Sequence, residues 1–184
     1  RRQPGGCRAG QPVGCSAAMR RHADSPPMIA SARAMSASLT AAQTADELLA
    51  ELEHELHLLA ATDPKLLDTT LLIHPQVMVD FLDFHFFLAE ADAAIRRLGF
   101  DGVFQIASLH PQYEFAGSDP DDIDNFTNRS PYPTLHLLRE ASIDRAVASF
   151  PDAAAIFEKN IDTMHRLGHE GWHQLWLQGA AKQK

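Results

Sequence analysis

The sequence has few cysteines and no long apolar segment, and both shortages exclude whole classes of protein. Only two cysteines occur in the 184 residues, Cys7 and Cys15, which is too few for a disulfide scaffold. Both lie near the start, so the rest of the chain has no thiol nucleophile, cysteine zinc site or iron–sulfur ligand. No run of about 18 apolar residues is present, which excludes a membrane-spanning helix.

Basic residues are scarce over most of the chain and concentrated at its start. Residues 1–44 hold six arginines and one acidic residue, whereas residues 45–184 hold 10 basic and 23 acidic residues. An acidic surface repels phosphate backbones and no basic patch appears, so we expect no nucleic-acid partner. Residues 1–43 are poor in large apolar residues, which predicts a disordered tail. This tail is either an over-long reading frame or an Arg- and Ser-rich targeting segment.

Residues 44–180 are predicted to form a single α/β domain, because helix and strand patterns alternate. Thr44 and Glu47 form a capping box ahead of a leucine stripe at helical spacing, which ends near Ala61. Residues 69–73 are a short β-branched and apolar run, which is typical of a buried strand.

A second helical stripe and a second strand follow within about 40 residues. The stripe runs from Val77 to Leu98, and the strand covers residues 103–109. Strand, helix and strand make a βαβ unit with parallel strands. We therefore predict a small, mostly helical domain around a βαβ unit with a short parallel sheet. Two strands rarely stand alone, so the sheet needs a further strand or a partner chain, and a homo-oligomer stays open.

Each predicted strand ends in a His-Pro pair, formed by His74 and Pro75 and by His110 and Pro111. Parallel strands end at the same edge of a sheet, and open α/β sheets bind their ligands there. If the strands are neighbours, His74 and His110 lie side by side at that edge. The alternative is that each pair only ends its strand and the imidazole caps a backbone group.

The loop after the second strand is long, and its aromatic and proline content indicates order rather than disorder. It contains Asn128, Arg129 and Ser130, whose amide, guanidinium and hydroxyl groups are suited to a carboxylate or phosphate. The alternative is that Asn128 and Ser130 cap local backbone while Arg129 pairs with a nearby aspartate. A loop of this length inside a small domain is usually functional.

Residues 134–150 are predicted to form a helix, which places His136 and Glu140 on one face at i and i+4. Such a pair can share a metal ion or form a solvated ion pair. Pro151 is predicted to open a last long helix, which Gly168 ends before a short terminal helix. Glycines interrupt the spacing of three later histidines, which are therefore interpreted as surface residues. They are His165, His169 and His173.

Two long motifs resemble the bacterial domain-of-unknown-function family 1415. The first motif contains residues 70–75 and 106–113, and the second covers residues 128–140. The resemblance extends over about residues 45–178 and implies a compact, cytoplasmic bacterial protein without an established activity. The matching polar positions are His74, Asp80, His110, Tyr113, Asn128, Arg129, Ser130, His136, Arg139 and Glu140.

Three functional hypotheses follow from these residues. The favoured one is a metal-assisted, hydrolase-like enzyme in which three histidines hold zinc, iron or manganese and leave a position open for water. The metal ligands would be His74, His110 and His136, with Glu140 or Glu114 as the general base. Tyr113, together with His110, would instead supply proton transfer under the second hypothesis.

The second hypothesis is a metal-free enzyme or binding domain. Its substrate-binding residues would be Asn128, Arg129, Ser130 and Arg139, which would clamp a carboxylate or phosphate. The third is a non-catalytic interaction protein with a rigid polar loop. Under the first two hypotheses we expect a small anionic partner, and under all three we expect neither nucleic acid nor membrane.

Overall fold

The computed structural model describes residues 35–149 and 153–181. These residues form four strands, four helices and one 3-10 helix. In chain order they are β1 (Met35–Leu39), α1 (Ala45–Ala61), β2 (Thr69–Ile73), α2 (Phe81–Arg97), β3 (Phe104–Leu109), the 3-10 helix (Ile123–Thr127), β4 (Thr134–Arg139), α3 (Glu140–Ser149) and α4 (Ala153–Ala181). The α/β class predicted from the sequence is confirmed, with two strands that the patterns did not predict.

The four strands form one mixed sheet in the order β1-β2-β4-β3. β1 is parallel to β2, whereas β4 is antiparallel to both β2 and β3. The βαβ unit therefore has two strands that run in the same direction but do not touch, because β4 lies between them. At the centre of the sheet, His136 of β4 is paired with Leu71 of β2 and with Ala107 of β3.

The helix predicted for residues 134–150 is wrong over its first six residues. Thr134–Arg139 is the central strand β4, and the helix begins only at Glu140. β4 pairs with a strand on each side, and five of its six residues are buried, so side chains on both of its faces are covered. Such a strand loses the apolar–polar alternation, and a short apolar run then reads equally well as a helix.

The starts of the other elements differ from prediction in two places. Met35–Leu39, assigned from sequence to the tail, forms edge strand β1. Helix α2 begins at Phe81 with Asp80 as its N-cap, so Val77 lies in the preceding loop. The predicted capping box at the start of α1 is confirmed, since Glu47 N–H donates to Thr44 Oγ1 at 3.2 Å and Thr44 N–H donates to Glu47 Oε2 at 3.2 Å.

The core lies between one face of the sheet and helices α1 and α2. The fully buried large apolar residues described are Leu48, Leu52, Leu56 and Leu59 of α1, Phe84 of α2, and Leu72, Phe104, Leu135 and Leu137 of the sheet. Each such side chain stabilises the fold by about 1.5–3 kcal/mol relative to exposure. Burial of these side chains is therefore the main stabilising contribution from the contact between the helices and the sheet.

Helix α4 is interrupted at Gly168, as the sequence predicts. Gly168 has φ 59° and ψ −179°, which lies outside helical backbone geometry. The predicted opening residue of this helix, Pro151, lies outside the described residues. Within the described ranges, every helix is too short or too polar to span a bilayer.

Candidate functional site

Two buried histidines hold the loop that joins β2 to α2. His74 Nδ1 donates a hydrogen bond to the carbonyl oxygen of Val77 at 3.0 Å, and His110 Nε2 donates to that of Met78 at 3.2 Å. His110 Nδ1 accepts from the Gln112 N–H at 3.0 Å, so both of its ring nitrogens are engaged. These contacts match the alternative in which each imidazole caps a backbone group.

The two imidazoles are brought together by the ring of Phe84 on α2. The ring centroids of His74 and His110 lie 5.6 Å and 5.1 Å from that of Phe84, and neither histidine is exposed. Burial is the main cause that lowers the pKa of both histidines, and the neighbouring His110 lowers that of His74 further. Both are therefore neutral near pH 7, and His74 keeps an unprotonated Nε2 without a hydrogen-bond partner among the described residues.

The loop held by these histidines has a strained backbone. Met78 has φ 55°, the left-handed conformation that side chains with a Cβ rarely adopt. The loop ends at Asp80, whose Oδ1 accepts hydrogen bonds from the N–H groups of Leu82 at 2.8 Å and Asp83 at 3.2 Å. Such strain, about 1–3 kcal/mol, persists where surrounding contacts over-determine the backbone and is concentrated at functional sites.

A cleft of about 540 Å³ opens between this loop, the start of α1 and the first half of α2. Three carboxylates line it, from Asp80, Asp83 and Glu90, together with the apolar side chains of Val79 and Phe86. Neither lysine nor arginine occurs among the described residues that line the cleft. The sequence predictions missed this cleft, although the i, i+3 and i+10 spacing of the three acids placed them on one side of a helix.

Tyr113 and Asn128 are brought to the same edge of the sheet as the two histidines. Tyr113 is 7% exposed, with its ring centroid 5.6 Å from that of Phe81. Burial raises the pKa of Tyr113, and a hydrogen bond with the Asn128 side chain opposes that rise. The carbonyl oxygen of Asn128 also accepts from the His110 N–H at 3.2 Å. This part of the predicted site is assembled, and it is packed rather than open.

Arg129 is used to hold the long loop together. Its Nε donates to the carbonyl of Tyr113 at 3.2 Å and a terminal nitrogen donates to that of Pro120 at 2.6 Å. Its guanidinium carbon lies 4.2 Å from the centre of the Phe126 ring. Arg129 therefore binds backbone carbonyls instead of the aspartates considered from sequence. Ser130 is also engaged locally, since its hydroxyl donates to the carbonyl of Tyr132 at 2.7 Å.

Asn125 organises the same loop and was not singled out from the sequence. It is fully buried, and its Oδ1 accepts from the Phe115 N–H at 2.9 Å and the Ser118 hydroxyl at 2.8 Å. Its Nδ2 donates to the carbonyl of Asp119 at 2.8 Å. Loop asparagines are usually exposed, so the sequence offered no signal for this role. Glu114, a predicted acid–base residue, lies exposed in the loop.

His136 lies on the opposite face of the sheet from His74 and His110. Its side chain contacts Thr69, with Nε2 donating to the hydroxyl at 2.6 Å, and that hydroxyl donates to the carbonyl of Leu137 at 2.6 Å. Nδ1 is buried without a partner among the described residues. Burial lowers the pKa of His136 from 6.5 to about 4. The three predicted metal ligands are thus split between two faces.

Arg139 and Glu140 lie at the far edge of the sheet. Because β4 is antiparallel to β2 and β3, its last residue is remote from the carboxyl ends of those strands. Arg139 donates to the carbonyls of Thr62 at 2.8 Å, Leu67 at 3.2 Å and Leu59, near the end of α1. Arg129 and Arg139 therefore do not converge on one ligand. In the described part of the chain, no group of three His, Cys, Asp or Glu side chains is placed to hold a metal ion.

The fold and the cleft define a small α/β domain with a mixed four-stranded sheet covered by helices on one face. The family described as "protein of unknown function (DUF1415)" matches residues 28–174, and the chain belongs to this family. The resemblance found in the sequence motifs is thereby confirmed. No curated protein and no solved structure matches the chain.

Proposed function

We propose that this protein is a metal-free binding protein whose cleft beside the β2–α2 loop takes a small cationic molecule with an apolar part. The observation that carries the proposal is the lining of the cleft. It combines three carboxylates with exposed apolar surface and has neither lysine nor arginine among its described residues.

The separation of the histidines favours this proposal over the metal-assisted enzyme predicted from sequence. A catalytic metal site needs about three protein ligands around one ion, with free lone pairs directed at it. Both ring nitrogens of His110 are engaged with backbone groups, and His136 lies on the other face of the sheet. The proposal shares only the absence of a metal with the second sequence hypothesis, since Arg129 and Arg139 hold different backbone carbonyls and do not meet around an anion.

The charge of the ligand follows from the carboxylates. An anion in the cleft would face Asp80, Asp83 and Glu90 at close range, and like charges in a cleft raise its binding free energy. A primary ammonium group would instead gain from all three. The apolar side chains of Val79 and Phe86 give the remainder of the ligand a surface to cover.

The proposal is tested by isothermal titration calorimetry with three probes of one shape. Phenethylamine carries a positive charge, 2-phenylethanol is neutral and phenylacetate is negative. We expect phenethylamine to bind at least about tenfold more tightly than the alcohol, equivalent to about 1.4 kcal/mol, and phenylacetate not to bind.

Two variants locate the binding. The double variant Asp83→Asn, Glu90→Gln should remove the preference for the amine, because it removes two of the three charges. Asp144→Asn, an exposed position on α3, is the matched control and should bind like the unchanged chain. Equal binding of all three probes, or tighter binding of phenylacetate, would contradict the proposal.

A further inference from the structure

A strip of exposed apolar side chains continues from the cleft along α2. Val79, Leu82 and Phe86 are exposed by 59%, 64% and 71%. Leu82 and Phe86 are four residues apart and lie on one side of α2, and Val79 precedes them in the β2–α2 loop. Val79 and Phe86 also line the cleft, whereas Leu82 lies outside it. Large apolar side chains that are exposed next to one another often mark an interaction surface, whereas single ones do not.

The charges around this apolar strip (Val79, Leu82 and Phe86) argue against a second copy of the chain as its occupant. In a two-fold dimer built on this patch, the same surface of both copies meets, so the acidic lining of one copy would lie against the acidic lining of the other. Like charges placed across an interface repel and weaken the association. A positively charged partner avoids this repulsion and is attracted by the three carboxylates.

We infer that the cleft and the apolar strip together bind a basic amphipathic peptide segment of another protein. This inference rests on the proposed function, since the lysine or arginine of the segment is the cation in the cleft. A bulky apolar residue of the same segment covers Leu82 and Phe86. A small amine fills only the cleft, whereas a peptide also contacts the apolar strip. Changes to the strip should therefore affect peptide binding and not amine binding.

The β2–α2 loop supports this role because it is fixed in advance. His74 and His110 hold the carbonyls of Val77 and Met78, and Asp80 caps the helix that carries the strip. Binding to a surface that is already ordered avoids the entropic cost of ordering a loop. The strained Met78 backbone is thereby explained as part of a rigid binding surface.

The test compares two ten-residue peptides by isothermal titration calorimetry on the full chain. The first has two lysines and two leucines at helical spacing, and the second has serine at both leucine positions. We expect the first to bind at least tenfold more tightly than the second. Leu82→Ser should abolish that difference while leaving phenethylamine binding unchanged, because Leu82 lies outside the cleft.

The control variant is Leu66→Ser, which changes a leucine of similar exposure, 70%, in the segment between α1 and β2. It should leave the preference between the peptides intact. If phenethylamine binds but both peptides bind equally, the inference is overturned and the proposed function stands. If neither the amine nor the peptides bind, both are overturned.

Two further results would assign the strip to a different occupant. A dimer in sedimentation equilibrium that Leu82→Ser dissociates would identify a second copy and overturn the inference. Peptide binding that appears only after Arg20→Glu and Arg21→Glu would identify the basic N-terminal segment of the chain itself, with the same consequence.

Discussion

Among the described residues, three histidines are almost completely buried, and each is neutral for the same physical reason. His74, His110 and His136 are exposed by 0%, 0% and 2%. Burial makes the charged imidazolium costly, so it lowers the pKa of all three. Each ring has at least one nitrogen hydrogen-bonded to a backbone or hydroxyl group of the fold. At the residue scale, these histidines are structural groups whose protonation opposes folding.

His136 should therefore couple stability to pH. Its pKa falls from 6.5 to about 4 on folding, so the unfolded chain binds more protons between these values. The free energy of unfolding should fall as the pH drops from 6.5 towards 4 and gain nothing from this group above 6.5. His136→Gln should flatten that dependence by up to about 1.4 kcal/mol per pH unit. Urea unfolding at several pH values measures it, with His54→Gln, an exposed position on α1, as control.

Met78 allows a second test at this scale. A β-branched residue is strained further at φ 55°, whereas leucine resembles methionine in volume and branching at Cβ. Met78→Val should lower the free energy of unfolding by about 1–3 kcal/mol, and Met78→Leu should change it by less than about 1.5 kcal/mol. Denaturant unfolding measures the free energy of unfolding of both variants. Equal values for the two would refute the strain assigned to residue 78.

At the scale of elements, Arg139 connects the central strand to the end of a helix. The last carbonyls of a helix lack partners within it, and Arg139 donates to those of Leu59 and Thr62. Arg139→Leu would deprive the carbonyls of Thr62 and Leu67 of this donor, at about 1–3 kcal/mol each, whereas the carbonyl of Leu59 keeps the Thr62 N–H. We expect a loss of at least about 2 kcal/mol in unfolding free energy. The control for stability is Arg96→Leu, which changes an exposed arginine on α2. A second variant, Arg139→Lys, should leave the affinity for phenethylamine unchanged.

The elements differ in how well the sequence predicts them. Residues 69–73 were predicted correctly because a β-branched run bounded by polar residues has little helical alternative. Met35–Leu39 has small and polar residues suited to an edge strand, so composition placed it in the tail. Thr134–Arg139 was mistaken for a helix because strand pairing on both sides, which the sequence does not display, decides its conformation.

The candidate site was predictable in part for a related reason. His74 and His110 were recognised because a His-Pro pair ends each strand, and both lie beside the loop of the cleft. His136 and Arg139 share a sequence motif with Arg129, but both lie on β4. This strand places His136 on the opposite face of the sheet and Arg139 at its far edge. Proximity in sequence thus did not predict proximity in space. The cleft itself depends on how α1 meets α2, which no local pattern reveals.

For the whole molecule, the division of the histidines between two faces of the sheet predicts the response to metal removal. We expect elemental analysis of the chain, purified without a histidine tag or chelator, to give less than stoichiometric zinc, iron or manganese. Incubation with EDTA should leave the melting temperature unchanged, because no set of metal ligands converges in the part of the chain that the structure describes. A stoichiometric ion that is lost in His74→Ala, His110→Ala and His136→Ala alike would restore the three-histidine hypothesis.

The central position of β4 has a consequence for the synthesis of the protein on the ribosome. Among the strands described, β4 is the last to be synthesised, yet β2 and β3 both pair with it and not with each other. Until residue 139 has emerged, β3 has no strand beside it and the sheet remains divided. The nascent chain therefore leaves apolar strand edges exposed until late in synthesis. Pairing between strands that are far apart in the sequence is also slow. The interval before β4 arrives is when this protein is most exposed to aggregation.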